Sequence, residues 1–488
     1  MVPRILSIAA PLFIYVSLGI LAFGLYAERR KFDWLSLVPA GIALIASFIF
    51  VPAQHRLFFD EDIYIHIASN LARAPVAQLT LLSGPDGIAV SSYYKEPAGW
   101  PILLSLVFLL TGASETVAFI LARFVYALAV AAVYHMAREA LPSRRNALIA
   151  ASIFAATAIS FGFSASAGAD LPSALFAILA MWGLWTGNGP LAAAGLVMAA
   201  QTRLEMIVLL PLLFVPKNIS WRWKIGGLAL ATAEVLHVLW VLSVTPVLAE
   251  AERVETAFSF KYVPGNLRDN LLYLFNPMVF PALVTGLSIF GIYRLWRSRP
   301  GQAQLVLLQA AGLFSVYLLF YAGSFNINPR YSIQFVAILA VMAVWSLRWP
   351  VLLLTMVIPY FQPMESSDYV RTLTEDHRTA VEFASKLGAA DIVLTAEPEI
   401  FFNHGINAMN AVYASEQPGR LAEQFGKFKK VWYYAGARTG VTGGQQWVAD
   451  RWVKSNYELH SIDSREIRGL RIAIYEMLLK PVQSDARE

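Results

Sequence analysis

Long apolar stretches recur along this chain, and they constrain its fold more than any other feature. Runs of about 20 apolar residues, the length a helix needs to cross a bilayer, alternate with short segments that hold most of the charge. Hydrophobic residues make up 57% of the sequence and charged residues 15%, whereas a soluble domain carries about 25% charged residues. The sequence therefore predicts a polytopic α-helical membrane protein.

The apolar runs predict about 12 membrane spans. One stretch, 190–216, is divided into two short passes because Arg203 and Glu205 interrupt it. The segment 98–112 is short for a span and has two interpretations, an interfacial or re-entrant helix or a thirteenth span. The remaining spans are expected at 5–26, 36–53, 116–137, 146–163, 171–187, 225–245, 278–295, 303–322, 331–347 and 349–362.

Clusters of Lys and Arg indicate the orientation, since cytoplasmic loops are enriched in these residues. With 12 spans all the clusters fall on one face, and the loop 54–115 and the tail after 362 fall on the other. The basic clusters lie at 28–31, 138–145, 217–224, 294–299 and Arg348. Short basic clusters of this kind are typical of loops that set membrane topology and face anionic lipid headgroups. The sequence has no long basic stripe of the kind that binds nucleic acid.

Two domains are expected. Residues 1–362 would form the transmembrane domain with its outward loop 54–115, and 363–488 a small extracytoplasmic α/β domain. In the tail, strand patterns at 390–395, 430–434 and 470–475 alternate with helical patterns at 375–387, 417–427 and 444–455. There is no cysteine, which excludes disulfides and thiolate metal sites.

Candidate functional residues concentrate on the predicted outer face. Three consecutive carboxylates, Asp60, Glu61 and Asp62, begin a helical stretch in the first outward loop. They are either a solvated helix start or a functional group that faces a cation or hydrogen-bond donors. Four more candidates lie on the same face: Asp170, Arg203, Glu205 and Arg330. Each also has a purely structural interpretation, as a helix cap for Asp170, an ion pair for Arg203 and Glu205, and an interfacial side chain for Arg330. Carboxylates that accept a proton and cations that neutralise a phosphate would suit group transfer from a membrane-bound phospholipid donor.

Several motifs, in order, resemble the GT-C glycosyltransferases, and in particular the branch with protein O-mannosyltransferases, aminoarabinose transferases and rhizobial lipopolysaccharide sugar transferases. Asp60-Glu61-x-x-Tyr64 resembles the signature at the start of the first loop. Lys95-Glu96-Pro97 stands where the branch often has Lys-Pro-Pro. The other matching segments are Thr111-Gly112-Ala113-Ser114-Glu115, Ala122-Arg123, Asp170-Leu171-Pro172, Gly195 with Gln201-Thr202-Arg203, and Arg330-Tyr331.

The resemblance implies an inverting transfer of a sugar from a polyprenyl-phosphate-linked donor to a lipid, glycan or protein acceptor. The reaction would occur at the outer face of the cytoplasmic (inner) membrane. Asp60 would be the general base, assisted by Glu61, and Asp170 a further catalytic carboxylate. Some members of the family use a divalent metal and others do not, so a metal at Asp60, Glu61 and Asp170 stays open. Lys95, Arg203 and Arg330 would bind the donor phosphate, and the residues expected to contact substrate are Tyr64, Tyr94, Glu96, Glu205 and Tyr331. Asp62 is expected to be only a helix-start charge.

Two other classes remain as alternatives. A transporter or flippase for a lipid-linked or anionic substrate would explain the spans and the intramembrane residues Arg203, Glu234 and His237. Glu234 and His237, one helical turn apart, could form a buried hydrogen-bonded pair, a proton relay or a contact to a lipid phosphate, and the hydrogen-bonded pair is favoured. Transporters often contain matched broken helices in two repeats, and the sequence offers only one interrupted segment. A sensor or assembly scaffold would use the tail to bind a partner and would tolerate substitution of the acidic loop.

The predicted orientation can be tested with topology reporters. A reporter at 143 is expected on the cytoplasmic side and a reporter at 365 on the opposite side, because the basic cluster 138–145 and the tail fall on different faces. Protease protection or a compartment-specific enzyme fusion measures this directly. Both reporters on the same side would contradict the 12-span topology.

Overall fold

The computed structural model describes residues 2–56, 60–93, 97–244, 257–276, 280–347, 368–436, 445–467 and 470–480. It divides into two compact units. The first contains the described residues of Met1–Gln54, Lys95–Val241 and Arg253–Met364, and the second those of His55–Tyr94, Leu242–Glu252 and Glu365–Glu488.

The described residues of the first unit are almost entirely helical. The α-helices are Val2–Glu28, Leu37–Phe50, Gly99–Thr111, Glu115–Ala140, Arg144–Ala156, Ala158–Gly162, Asp170–Thr186, Gly189–Thr202, Trp221–Val244, Val263–Leu274, Ala282–Ser298, Pro300–Leu319 and Ile333–Ser346. Turns of 3₁₀ helix occupy Arg29–Lys31, Trp34–Ser36, Phe163–Ala165, Leu204–Phe214, Phe260–Tyr262 and Pro329–Ser332.

Five helices of the described chain are long and apolar enough to cross a membrane, or six if the bent pair Arg144–Ala156 and Ala158–Ala165 is one span. The five are Pro11–Lys31, Glu115–Ala140, Trp221–Val241, Pro300–Leu319 and Pro329–Ser346. This composition is that of a multi-span membrane protein. Twelve spans are not confirmed. Several expected spans form shorter helices, among them Gly99–Thr111, and the predicted span 349–362 lies outside the described residues.

A helix boundary within the first unit shows why some apolar runs give short helices. Helix Asp170–Thr186 ends because Gly187 adopts a left-handed conformation with φ of 72°. Asn188 then caps the next helix, its side chain accepting a hydrogen bond from Leu191 N at 3.0 Å. The two helices pack closely, and glycine permits the approach: a Cβ on Gly183 would lie 2.5 Å from Ala192 N, and one on Gly195 2.8 Å from Ala180 N.

The second unit is an α/β unit. Its strands are β1 (Gln78–Gly84), β2 (Gly87–Tyr93), β3 (Asp391–Thr395), β4 (Asn407–Asn410), β5 (Lys430–Ala435), β6 (Tyr457–Ile467) and β7 (Leu470–Leu479). Its helices are Asp60–Arg73, Asp368–Ala384, Pro398–Asn403, Ala411–Glu416, Pro418–Lys427 and Gln445–Asn456. The sequence patterns at 390–395, 430–434 and 470–475 correspond to β3, β5 and β7, while the short strand β4 and the long strand β6 carried no recognised pattern.

All seven strands join one mixed sheet in the order β2-β1-β4-β3-β5-β7-β6. The three central strands, β4, β3 and β5, are parallel, and the flanking pairs are antiparallel. The hairpin β1–β2, which the sequence analysis placed in an outward loop of residues 1–362, is part of this sheet. Hydrogen bonds between strands so distant in sequence leave no local pattern, so the sequence could not reveal this assignment.

Alternating side chains of the central strands fill two cores, one on each face of the sheet. Ile392, Leu394 and Tyr433 contribute to one core, which includes residues of helices Ala411–Glu416, Pro418–Lys427 and Gln445–Asn456. Val393 and Tyr434 contribute to the other, which includes residues of helices Asp368–Ala384 and Pro398–Asn403. The sheet is therefore covered by helices on both faces.

The glycine contact in the first unit gives a stability prediction. Gly183→Ala is expected to lower the melting temperature of the purified protein, because its Cβ would meet the backbone of the neighbouring helix at a cost of about 1–3 kcal/mol. Gly286→Ala is the matched control, since it lies within a helix and its Cβ would meet open space. The control should melt at the same or a higher temperature, as alanine favours helix by about 1 kcal/mol. Equal melting temperatures for the two variants would contradict the close approach.

Candidate functional site

Two clusters of polar side chains stand out, one in each unit. The arginine–aspartate cluster of the first unit consists of Asp170, Arg203, Glu205, Arg330 and Tyr331. The histidine–carboxylate cluster of the second unit consists of His55, Glu61, Asp62 and His377.

The chain positions the arginine–aspartate cluster at helix ends. Asp170 is the first residue of helix Asp170–Thr186. Arg203 is the single extended residue between helix Gly189–Thr202 and the 3₁₀ turns of Leu204–Phe214. Arg330 lies in the turn Pro329–Ser332, which leads into helix Ile333–Ser346. Since backbone groups at helix ends lack intrahelical partners, polar residues are more easily accommodated there than within an apolar helix.

Arg203 is held by two carboxylates. Its Nη1 donates a hydrogen bond to Asp170 Oδ1 at 2.6 Å, and its Nε donates to Glu205 Oε1 at 2.5 Å. The Arg203 side chain is 12% exposed and that of Asp170 3%. Charge-assisted hydrogen bonds this short are the strong kind, and at this burial the loss of either partner would leave a costly charge.

Arg330 and Tyr331 complete the cluster. Arg330 Nη1 lies 3.9 Å from Asp170 Oδ2, beyond hydrogen-bond distance. Both guanidinium groups lie near the Tyr331 ring, with Cζ of Arg203 5.0 Å and Cζ of Arg330 5.2 Å from its centroid. Gln334 Nε2 donates to the backbone oxygen of Asp170 at 3.2 Å. Two guanidinium groups thus lie near one aspartate and one tyrosine ring. Because the guanidinium fork matches the geometry of phosphate oxygens, this cluster is the candidate site for a phosphate.

The histidine–carboxylate cluster has a different chemistry. His55 Nδ1 lies 3.5 Å from both Glu61 Oε2 and Asp62 Oδ2, and His377 Nε2 lies 3.3 Å from Asp62 Oδ1. The two imidazole rings stack with their centroids 3.8 Å apart. Glu61 and Asp62 have no exposed surface and His55 is 6% exposed. Their ligand atoms are close enough together that His55, Asp62 and His377 could hold a metal ion.

Backbone and side-chain hydrogen bonds hold these groups in place. Arg56 N donates to Glu61 Oε2 at 2.6 Å, and Thr374 Oγ1 donates to the backbone oxygen of His55 at 3.1 Å. Asn403 Nδ2 donates to the backbone oxygen of Asp62, also at 3.1 Å. Residues from the segment before helix Asp60–Arg73 and from two helices of the tail therefore fix one cluster.

The residues predicted from the sequence divide between the two units. Asp170, Arg203, Glu205, Arg330 and Tyr331 come together in the first unit. Asp60, Glu61 and Tyr64 lie in the second, where Asp60 begins helix Asp60–Arg73 and is half-buried, and Tyr64 is almost fully buried. The other predicted residues, Tyr94, Lys95 and Glu96, lie outside the described residues.

Two expectations need correction. Asp62 is not a solvated helix-start charge, because it is fully buried between two histidines. Glu234 and His237 do not form a hydrogen-bonded pair, since neither carboxylate oxygen of Glu234 has a hydrogen-bond partner within the part of the chain that the structure describes. Both expectations came from local spacing along a helix, which does not determine what packs against that helix.

Sequence reasoning missed His55 and His377 entirely. His55 lies five residues before Asp60, and its position beside an acidic run was the only available signal. His377 is hundreds of residues away in the chain, on helix Asp368–Ala384. The residues on either side of His377 in the sequence do not distinguish it from a surface histidine of an amphipathic helix.

A third buried histidine, His66, lies near this helix start. Its Nε2 accepts hydrogen bonds from Thr80 N at 3.3 Å and Asn70 Nδ2 at 3.1 Å, and Thr80 Oγ1 is 2.8 Å away. Burial lowers the pKa of His66 to about 4, and the Arg73 charge contributes in the same direction. His66 is therefore neutral at physiological pH and ties the helix to β1.

Solved structures share this fold at low sequence identity. ArnT from Cupriavidus metallidurans bound to undecaprenyl phosphate matches with a TM-score of 0.60 and 12% identity, over 91% of this chain and 98% of that chain. The Archaeoglobus fulgidus oligosaccharyltransferase, tethered to an acceptor peptide containing the NVT sequon, matches with a TM-score of 0.50 and 10% identity, over 92% and 74%. The oligosaccharyltransferase AglB from Archaeoglobus fulgidus, in complex with an inhibitory peptide and a dolichol-phosphate, matches with a TM-score of 0.50 and 11% identity, over 91% of this chain and 74% of that chain. No family model and no curated protein sequence matches the chain.

These similarities define the class. The chain is a membrane protein with the fold of the GT-C glycosyltransferases. The fold that the sequence motifs suggested is thus confirmed.

The depressed pKa of His66 gives a pH prediction. Because the folded-state pKa of about 4 is below the ordinary value of 6.5, the unfolded chain binds a proton first as pH falls. Stability from this site is fully present above pH 6.5 and is lost progressively toward pH 4, by about 3 kcal/mol in all. His66→Gln keeps a hydrogen-bonding side chain that does not titrate. The free energy of unfolding of the wild type should therefore fall relative to that of the variant as the pH is lowered from 6.5 to 4. His460→Gln, at an exposed histidine, is the control, and a pH-independent difference for His66→Gln would contradict the assignment.

Proposed function

We propose that this protein is an inverting GT-C glycosyltransferase that moves a sugar from a polyprenyl-phosphate-linked donor to a lipid, glycan or protein acceptor. The observation that carries the proposal is the arginine–aspartate cluster within a GT-C fold. Two guanidinium groups beside one tyrosine ring suit a phosphate leaving group, which is what a lipid-phosphate sugar releases.

The donor class rests on two arguments. The ArnT structure contains undecaprenyl phosphate and one AglB structure contains dolichol-phosphate, and we extend this carrier chemistry to the present chain. Arg203 and Arg330 would bind the donor phosphate together with Lys95. Asp170 and Glu205 would hold Arg203 in its orientation, so that its charge is in place before the glycosidic bond breaks.

The acceptor would be activated by Asp60. In the transfer, the acceptor oxygen forms a bond to the anomeric carbon as the bond from that carbon to the phosphate oxygen breaks, and the phosphate leaves with the electron pair. Asp60 would take the acceptor proton. The half-buried position of Asp60 at the first residue of a helix suits this role, and Glu61, held by the Arg56 amide, would fix the helix start. The reaction would occur at the outer face of the cytoplasmic membrane, where the α/β unit would also lie.

A transfer assay with purified protein in lipid and a polyprenyl-phosphate sugar tests both roles. Asp60→Asn should lower kcat by about 10²- to 10⁴-fold, the usual contribution of a general base. Arg330→Gln should raise the KM for the donor by about 10- to 100-fold, since a charge-assisted contact contributes about 1.5–3 kcal/mol. Product formation is measured by release of the polyprenyl phosphate and by mass of the glycosylated acceptor.

Matched controls separate these effects from altered folding. Asp86→Asn, in the exposed turn between β1 and β2, and Arg297→Lys, at an exposed helix end, should keep wild-type rates. Full activity of Asp60→Asn at unchanged expression would overturn the base assignment. Movement of the lipid-linked sugar across the vesicle membrane without any covalent product would instead support the alternative function, a transporter or flippase.

A further inference from the structure

The histidine–carboxylate cluster has the ligand types and spacing of a metal site. His55, Asp62 and His377 each offer a nitrogen or oxygen atom, and these atoms lie within 4.8 Å of one another. Imidazole nitrogen with carboxylate oxygen is a donor set that suits Zn²⁺ and related divalent transition metals. The set includes neither Asp60 nor Asp170.

The nitrogen-to-oxygen separations are close to those between the ligands of a bound zinc ion and longer than strong hydrogen bonds. Zinc ligands at about 2.0–2.1 Å from the ion lie about 3.3–3.4 Å apart at the tetrahedral angle. The separations are 3.5 Å from Asp62 Oδ2 to His55 Nδ1 and 3.3 Å from Asp62 Oδ1 to His377 Nε2, so each histidine faces a different oxygen of the carboxylate. A hydrogen bond between nitrogen and a carboxylate is shorter, about 2.7–2.9 Å.

The stacking of the two rings points the same way. With centroids 3.8 Å apart, two protonated imidazolium rings would repel each other strongly in a buried place. A metal ion binds neutral imidazole, so both histidines can stay uncharged beside one ion. The carboxylates of Asp62 and Glu61, both without exposed surface, add negative charge on the side where the cation would lie.

Hydrogen bonds from neighbouring residues also hold the proposed ligands in position, as is usual for metal ligands. Thr374 holds the backbone of His55, and Asn403 holds the backbone of Asp62. The Arg56 amide fixes Glu61 beside His55. These contacts come from the tail helices Asp368–Ala384 and Pro398–Asn403 and from the segment that precedes helix Asp60–Arg73.

We propose that His55, Asp62 and His377 bind one divalent transition-metal ion, Zn²⁺ or a similar ion, as a structural clamp. The ion would cross-link the start of helix Asp60–Arg73 to helix Asp368–Ala384 within the second unit. It would therefore fix the position of the first helical turn, which includes Asp60. The site does not depend on the proposed sugar transfer, because it is defined by its ligands alone.

Metal binding by the full chain tests the proposal. The protein is purified with a tag free of histidine, stripped with a chelator and titrated with Zn²⁺ against a chromophoric chelator. Wild type should bind one equivalent and show a raised melting temperature. His377→Ala and Asp62→Asn should weaken binding by at least about tenfold, the effect of losing even an outer-shell partner, and should lose the thermal shift.

Two controls isolate the site. His460→Ala removes an exposed histidine that pairs with Glu458 and should bind Zn²⁺ as wild type does. Asp60→Asn removes the proposed base and should also keep the metal, so failure of the sugar-transfer proposal and failure of the metal proposal give different results.

A cysteine variant makes the test independent of lost folding. The chain has no cysteine, so His377→Cys introduces the only thiol. With Co²⁺ as the probe, this variant should still bind one equivalent and gain a thiolate-to-cobalt charge-transfer band in the near ultraviolet, which wild type lacks. Absence of a one-equivalent site in folded wild type, or Co²⁺ binding by His377→Cys without that band, would overturn the proposal.

Discussion

The pairing of β1 with β4 is the contact on which the second unit depends. Leu82 pairs with Met409, and Ser83 Oγ accepts a hydrogen bond from Ala408 N, 325 positions away in the chain. This contact adds the hairpin 78–93 to a sheet whose other strands all come from the tail. The helix that precedes the hairpin is brought with it, because His66 and Asn70 bond to Thr80 and Gln78 of β1. The acidic helix start is therefore attached to a rigid sheet and is not carried by a free loop.

The two buried clusters differ in the charge of the ligand that each could bind. In the first unit Arg203 has its charge matched by Asp170 and Glu205, and Arg330 adds a second guanidinium on the same tyrosine. Buried ion pairs contribute little net stability compared with apolar packing, so their presence in an apolar helical unit favours a functional reason. In the second unit two carboxylates lie beside two imidazoles, and each neutral imidazole offers one nitrogen lone pair as well as one N–H group. One cluster suits an anion and the other a cation, and a single local motif would not have separated them.

Local sequence patterns predicted several strands, the fold family and part of the candidate site. The alternation of apolar residues gave β3, β5 and β7, and the order of short motifs gave the GT-C fold. The convergence of Arg203, Arg330 and Asp170 was expected from the predicted face of the membrane. In contrast, β4 has four residues and β6 is largely exposed, so neither shows a clear hydrophobic pattern. His377 could not be assigned, because its neighbours are determined by helix packing and not by its own segment.

The run Asp60-Glu61-Asp62 shows how much position on a helix changes the role of adjacent acids. Successive residues on a helix point about 100° apart, so the three carboxylates do not all point the same way. Asp60 is half-buried, Glu61 accepts from a backbone amide, and Asp62 lies between two histidines. The mutual repulsion of Glu61 and Asp62 is relieved by the polar groups around them, since both carboxylates lie 3.5 Å from His55 Nδ1 and each has a further contact of its own. Like charges can be adjacent in sequence when the fold surrounds them in this way, and here Asp60 is the least buried of the three.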